Sequence, residues 1–181
     1  MTQEDSPIAD VLVRRAAPDD AADLAALAAQ TFADAFGPDN TPEDTAAHIE
    51  AHFSPERQAA EIDDPSTVML VAEAGGALVG YVMLRWGEAP PSVTGPRPIE
   101  LARIYVSREW QSRRVGAALM ARCLTEAQAT GAESIWLGVW QVNVRAQAFY
   151  ERWGFETVGT KTFTVGSDVQ TDWVMARRLV A

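Results

Sequence analysis

Three groups of residues in this chain have the types and spacing to do chemistry. The first is Gln111-Ser112-Arg113-Arg114-Val115-Gly116-Ala117-Ala118, which follows the apolar run Ile104-Tyr105-Val106 and opens a helix-patterned segment. A chain that turns there and enters a helix presents successive unpaired N–H groups at the positive end of the helix dipole, an arrangement that cradles an anion. Arg113 and Arg114 put two cations at the same helix start, at a cost of a few tenths to about 1 kcal/mol unless an anion is present. The pair therefore favours a bound phosphate, with a solvated arginine pair as the plainer alternative. The second is Tyr150, whose phenol, near its ordinary pKa of about 10, stays protonated at neutral pH and can donate, with a core aromatic whose hydroxyl finds a backbone partner as the plainer alternative. The third is Glu100, a strand carboxylate that could relay a proton through water, or could simply pair with nearby Arg103.

Other candidates weigh less. Asp34, Asp168 and Asp172 could bind a protonated amine, although each reads equally well as a turn, helix or strand-edge carboxylate. Phe36, Trp110 and Trp140 could line a cation-binding pocket. Cys123 lies on the apolar stripe of its helix without a histidine near in sequence, so a buried inert thiol is expected rather than a nucleophile. His48 and His52, spaced i, i+4, share a helix face, but no spaced ligand set for a metal accompanies them, and none is expected.

Local signals define the elements that must carry these residues. The first ten residues read as a flexible end, and a strand is expected over 11–16. Asp19 or Asp20 can cap a helix through Leu24, Leu27, Phe32 and Phe36, broken at Gly37-Pro38. Thr41-Pro42 and Ser54-Pro55 each pair a capping residue with proline at the first helical position, so two short helices are expected within 42–62. Two β-prone runs, 67–74 and 77–86, flank Gly75-Gly76, the clearest hairpin signal in the chain. A Pro-rich connection over 89–98 reads as a surface loop near the site or as a plain linker. A strand over 99–106 precedes a helix over 114–130 that buries Val115, Leu119, Cys123 and Ala127. A strand over 134–140, a helix over 143–153 and strands over 155–165 and 170–179 complete a mixed α/β sheet flanked by helices.

Composition narrows the class further. At 181 residues one domain with a single substantial core is expected. No apolar run nears the roughly 20 residues of a membrane span, and Met1-Thr-Gln-Glu-Asp5 resembles no secretory leader, so a cytoplasmic protein without a membrane partner is expected. The lone cysteine excludes an internal disulfide. Residues 1–66 hold 15 acids and three arginines, a net charge of −12, whereas the remainder is close to neutral. An acidic half could attract a cationic acceptor, although solubility explains it as well. Nucleic acid is an improbable partner for a chain of net charge −10.

The loop at 111–118, Asn143-Val144-Arg145-Ala146 and Phe149-Tyr150 through Gly154-Phe155 together resemble the acetyl-coenzyme A site of the GNAT superfamily of N-acetyltransferases. Trp136-Leu-Gly-Val-Trp140, the tail Gly166-Ser-Asp168-Val-Gln-Thr-Asp172 and Thr31-Phe-Ala-Asp34-Ala-Phe36 narrow this to a resemblance to PaiA-type spermidine/spermine N-acetyltransferases. It departs at Arg114, where most such loops carry glycine, and at Lys161, where histidine is frequent; Lys161 would repel a polyamine if it faced the acceptor. The resemblance implies a mainly antiparallel sheet whose fourth and fifth strands splay apart to admit the pantetheine arm. It implies acetyl-coenzyme A held by Ile104, Tyr105, Val106, Asn143 and the loop, with Tyr150 as general acid to the thiolate and Glu100 beside the thioester. The acceptor implied is a small amine, a polyamine first, with Asp34, Asp168 and Asp172 as anchors; another amine or a non-catalytic acyl-coenzyme A module is the alternative. A homodimer is compatible with the same family.

Overall fold

The computed structural model describes residues 11–179; the expected flexible end, residues 1–10, lies outside the described residues. Seven strands form one sheet in the order β1-β2-β3-β4-β5-β7-β6. They are β1 (Leu12–Arg15), β2 (Thr67–Ala74), β3 (Ala77–Arg85), β4 (Pro98–Val106), β5 (Ser134–Trp140), β6 (Glu156–Val165) and β7 (Asp168–Arg178). Five α-helices accompany them among the described residues: α1 (Ala21–Phe36), α2 (Pro42–His52), α3 (Pro55–Asp63), α4 (Val115–Ala129) and α5 (Val144–Arg152). Every strand pair is antiparallel except β4–β5.

That parallel pair governs the site. β4 and β5 are in register only at Pro98–Ser134, Ile99–Ile135 and Glu100–Trp136. Beyond Glu100 the strands part, and β5 continues with β7 on its other side through Trp140–Asp172. The sheet thus opens as a V whose closed end lies at Pro98 and whose mouth lies toward Val106 and the loop that follows it. The expected splay of the fourth and fifth strands is present.

Alternation of side chains across the strands divides the core in two. On one face Ile99, Leu101, Ile135, Leu137 and Val139 pack beneath Val115, Leu119, Met120, Cys123 and Ala127 of α4, with Phe149 and Tyr150 of α5 against them. On the other face Met69, Val71, Tyr81 and Met83 pack beneath Leu24, Leu27, Ala28 and Phe32 of α1, with Phe53 and Val165. The i, i+4 stripe expected on α4 is the buried one, and Cys123 is fully buried, its thiol pushed up to about 12 by desolvation.

The local signals act as expected at α2 and α3. Thr41 accepts from the Asp44 N–H and Ser54 from the Arg57 N–H, and each helix begins on proline. Gly75 and Gly76 both take positive φ at the β2–β3 turn, which only glycine adopts without cost. Asp20 precedes α1 without capping it: its carboxylate instead accepts from the Ala17 N–H and pairs with Arg14 at 2.7 Å. The Pro-rich connection lies at the closed end of the V. A Cβ added to Gly95 would meet Ser134 and one added to Gly159 would meet Ser92, so this segment runs from the closed end over β6 to the row that holds Gly138.

Candidate active site

The loop between β4 and α4 carries an unusual backbone. Ser112 and Arg114 both have left-handed φ, +64° and +62°, and Arg114 occupies the N-cap of α4. A non-glycine residue there costs roughly 1 kcal/mol or more, so the loop carries strain at Arg114. No side chain caps α4, and the first amide after the loop with a backbone acceptor is that of Ala118, bonded to the Arg114 carbonyl at 3.0 Å. Among the described residues no protein acceptor meets the amides of Ser112 to Ala117. Gln111 through Arg114 are exposed.

Side chains brace this loop from outside. Gln111 donates to the Val106 carbonyl and accepts from Arg145 of α5 at 3.1 Å, tying the loop to the helix that bears Tyr150. Arg113 lies 5.1 Å over the Trp110 ring, and Trp110 packs with the core layer beneath α4, whereas Phe36 packs with the opposite layer. Gly116 has ordinary φ, and a Cβ there would meet the Phe149 ring and Val106 at 3.8–3.9 Å, an ordinary contact. The fold itself does not demand glycine at 116. Strained backbone, unsatisfied amides, two cations and an open glycine together fit a pyrophosphate-bearing group.

α5 starts at Asn143, whose Oδ1 accepts from the Ala146 N–H at 3.1 Å, as expected of a cap. Tyr150 follows on the inner face, half-buried, with edge-on rings at Phe149 and Phe155. Its phenol is raised above the usual range, chiefly by burial and then by Tyr105 and Cys123, so it stays protonated across the whole physiological range. No hydrogen bond to its hydroxyl is present among the described residues, which leaves the donor free. Ile104 and Val106 face the same layer as Tyr150. Tyr105 faces the other layer, stacked on Tyr81 with centroids 5.8 Å apart, and is pushed up to about 12 by burial, with Arg103 pulling it down and Asp172 holding it up.

Glu100 sits at the last paired position before β4 and β5 part. Its partner is not Arg103. The β3–β4 register, offset by a bulge between Met83 and Leu84, sets Arg85 opposite Glu100, and Arg85 donates to Oε2 through Nε at 3.1 Å and Nη2 at 2.7 Å. Arg103 instead reaches Glu61 of α3 at 2.8 Å and lies over Phe53. The other Glu100 oxygen is 3.8 Å from the Lys161 ammonium, which also sits 5.2 Å over the Trp136 ring.

The three aspartates separate. Asp172, opposite both Trp140 on β5 and Lys161 on β6, is buried at 6% exposure. Burial pushes its carboxyl up to about 6 against the pull of Lys161, and its Oδ1 has no hydrogen-bond partner. Asp34 accepts from Gln30 and lies 3.6 Å from Arg108. Asp168 is at the exposed start of β7 and accepts from Gln170 at 2.7 Å. Phe36 bridges Trp140 and Phe163 at 6.0 and 5.8 Å, so an aromatic floor lies beside Asp172. His48 stacks on Phe32 at 4.2 Å and is lowered to about 4, mainly by burial and then by His52 and Arg103. No metal-holding group of three or more ligands occurs among the described residues, and no described helix is long and apolar enough to cross a membrane.

The family model for the acetyltransferase (GNAT) family matches residues 29–155, a span holding α1, the V, the loop and Tyr150. The chain belongs to the GNAT family. This acetyltransferase uses acetyl-coenzyme A as acyl donor. It is 40% identical over 161 residues to an uncharacterised N-acetyltransferase of Mycobacterium tuberculosis, covering 89% of this chain and 99% of the relative. The GNAT fold is shared with the PaiA N-acetyltransferase of Thermoplasma acidophilum, solved in complex with coenzyme A, at a TM-score of 0.76 and 19% identity over 93% of this chain and 99% of that one. Nourseothricin acetyltransferase is 30% identical over 65% of this chain and 68% of that one, with a TM-score of 0.55. Lys161 beside Asp172, Gly138 beneath them and the left-handed Ser112 escaped the sequence reading. A glycine inside a β-prone run was the one available signal, since it marks a close approach.

Proposed function

We propose that this acetyltransferase transfers acetyl from acetyl-coenzyme A to a primary amine by direct attack in a ternary complex, a polyamine such as spermidine or spermine being the first acceptor class. The observation that carries the acceptor side is the buried Asp172 carboxylate set among Trp140, Phe36 and Phe163 at the opening between β4 and β5. Carboxylate plus aromatic faces is the chemistry that recognises an ammonium ion.

In this reading the amides of residues 112–117 and the Arg113/Arg114 pair hold the pyrophosphate, and the backbone of Ile104 to Val106 and Asn143 flank the arm of the donor. The donor supplies an activated acyl group. Tyr150 protonates the departing sulfur, and its free hydroxyl and raised pKa support that role. Glu100 and Asp172 are the two carboxylates beside the opening. Asp34 and Asp168 serve as outer anchors for further ammonium groups of a polyamine.

Lys161 supports a second reading, an amine carrying a single positive charge, because its ammonium shares the opening with Glu100 and Asp172. Thiol release from acetyl-coenzyme A across a panel of polyamines, monoamines, amino acids and aminoglycoside-type amines separates the two. Efficient turnover of spermidine or spermine, with a Michaelis constant that rises with ionic strength, supports the polyamine class. Inert polyamines beside a reactive monoamine would assign the acceptor to the second.

A further inference from the structure

We propose that Asp172 is the group that takes the proton from the incoming ammonium ion, with Lys161 as the positioning residue that holds its charge over β5. The inference rests on the amine-acetylating reading above and deepens it by naming the base.

The backbone makes this arrangement possible. Trp136, Gly138 and Trp140 share one face of β5, and Asp172 and Lys161 reach over that face from β7 and β6. A Cβ on Gly138 would meet the Lys161 Cε at 2.5 Å, the Asp172 Oδ2 at 3.1 Å and the Lys161 Nζ at 3.2 Å. The missing side chain is therefore what lets an ammonium and a carboxylate lie across the strand just after it separates from β4. Here a glycine of ordinary φ is required by side-chain approach and not by backbone conformation.

The carboxylates of this face differ in what they have left to offer. Glu100 commits Oε2 to two N–H donors of Arg85, so protonating it sacrifices a charge-assisted pair. Asp34 and Asp168 are engaged by Gln30, Arg108 and Gln170 at more exposed positions. Among the described residues, the Oδ1 of Asp172 is the carboxylate oxygen that is both buried and without a partner. An unsatisfied buried acceptor costs about 1–3 kcal/mol, more when charged, and an incoming ammonium would satisfy it.

The electrostatic surroundings suit a base. From β6 Asp172 faces Lys161, and from β4 it faces Tyr105 and Glu100, with Arg85 of β3 acting through Glu100. α2 contributes His48, uncharged at neutral pH, through its contact with Phe163, and β5 contributes the Trp136 and Trp140 rings. Burial raises Asp172 to about 6, so it is ionised at pH 7 yet more basic than an exposed aspartate. In the reaction the ammonium gives one proton to Asp172, and the freed nitrogen lone pair forms the N–C bond to the acyl carbon while the C–S bond breaks. Tyr150 gives its proton to the thiolate and regains one from the nitrogen, and Asp172 returns its proton to solvent, so one proton is released per acetyl transferred.

The test is thiol release with acetyl-coenzyme A and the best amine of the panel, from pH 5 to 9, on the full chain and on Asp172→Asn, Asp172→Glu, Lys161→Gln and Lys161→Arg. Wild-type kcat/KM is expected to decline below a limb near pH 6. Asp172→Asn should lower kcat by about 10²-fold or more and abolish the limb, with calorimetric affinity for coenzyme A unchanged as the control for folding. Lys161→Gln should move the limb to higher pH, because losing the cation favours the protonated carboxyl, and Lys161→Arg should restore it. Asp172→Glu should keep part of the turnover with a displaced limb. Wild-type kcat in Asp172→Asn with only a raised amine KM, or a limb that persists in it, would make Asp172 an anchor and overturn the proposal alone. A wild-type enzyme that releases thiol with no amine would overturn the amine-acetylating reading and the proposal together.

Discussion

At the scale of single residues, Tyr150 shows how burial and function can be told apart. Its ring packs edge-on between Phe149 and Phe155, while its hydroxyl has no protein partner among the described residues. The packing belongs to the ring and survives replacement by phenylalanine. Tyr150→Phe is therefore expected to keep coenzyme A affinity and to lower kcat by about 10²–10⁴-fold, the usual worth of a general acid. Turnover equal to wild type from pH 7 to 9 would make the residue a core aromatic. Tyr150 stood out in the sequence through the resemblance of its surroundings to the GNAT pattern, since a phenol in a short helix reads by itself as a core aromatic. Its lack of a hydrogen bond was not, since that depends on what β4 and α4 present to it.

At the scale of elements, the loop entering α4 combines backbone strain with amides that no protein group meets among the described residues. Two left-handed non-glycine residues and a run of amides without acceptors are unfavourable for the isolated chain and become favourable when an anion occupies the turn. Gly116 tests this directly. Alanine there meets only ordinary contacts and is preferred over glycine in a helix by roughly 0.5–1 kcal/mol, so Gly116→Ala should raise thermal stability slightly. The same methyl stands where a pyrophosphate would approach, so calorimetric affinity for coenzyme A should drop. A variant that is more stable with unchanged affinity would remove Gly116 from the binding surface.

At the scale of the whole molecule, the half-buried His48 and the buried Asp172 pull stability in opposite directions with pH. His48 is lowered to about 4 from an ordinary 6.5, so the unfolded chain binds more protons between those values, and His48's contribution, complete above pH 6.5, is lost as pH falls toward 4. Asp172 is raised to about 6 from an ordinary 3.8, so the folded chain binds more protons in that window, and stability falls as pH rises through it. The two slopes offset between about pH 4 and 6. Asp172→Asn should therefore raise the unfolding free energy at pH 7.5, by at most about 3 kcal/mol, and raise it by much less at pH 4.5. It should also steepen the acid loss by leaving the His48 slope unopposed. Equal midpoint changes at both pH values would mean that Asp172 titrates normally in the folded chain. Higher stability with lower activity is the signature of a charge retained for its chemistry.

What the sequence determined by itself is what local physics determines. Thr41 and Ser54 cap α2 and α3, Gly75-Gly76 turns β2 into β3, and the i, i+4 stripe of α4 is its buried face, because capping, positive φ and helical periodicity act within a few residues. The turn that leads from β4 into α4 was legible for the same reason. Contacts distant in sequence were decided only by the tertiary structure. A bulge in the β3–β4 register gives Glu100 to Arg85 and sends Arg103 to α3. β7, last in the chain, inserts between β5 and β6, and that insertion brings Asp172 and Lys161 over Gly138 at the mouth of the V. Strand pairing of this kind carries no signature in either strand alone, since alternation fixes which side chains share a face but not which strand will lie beside them.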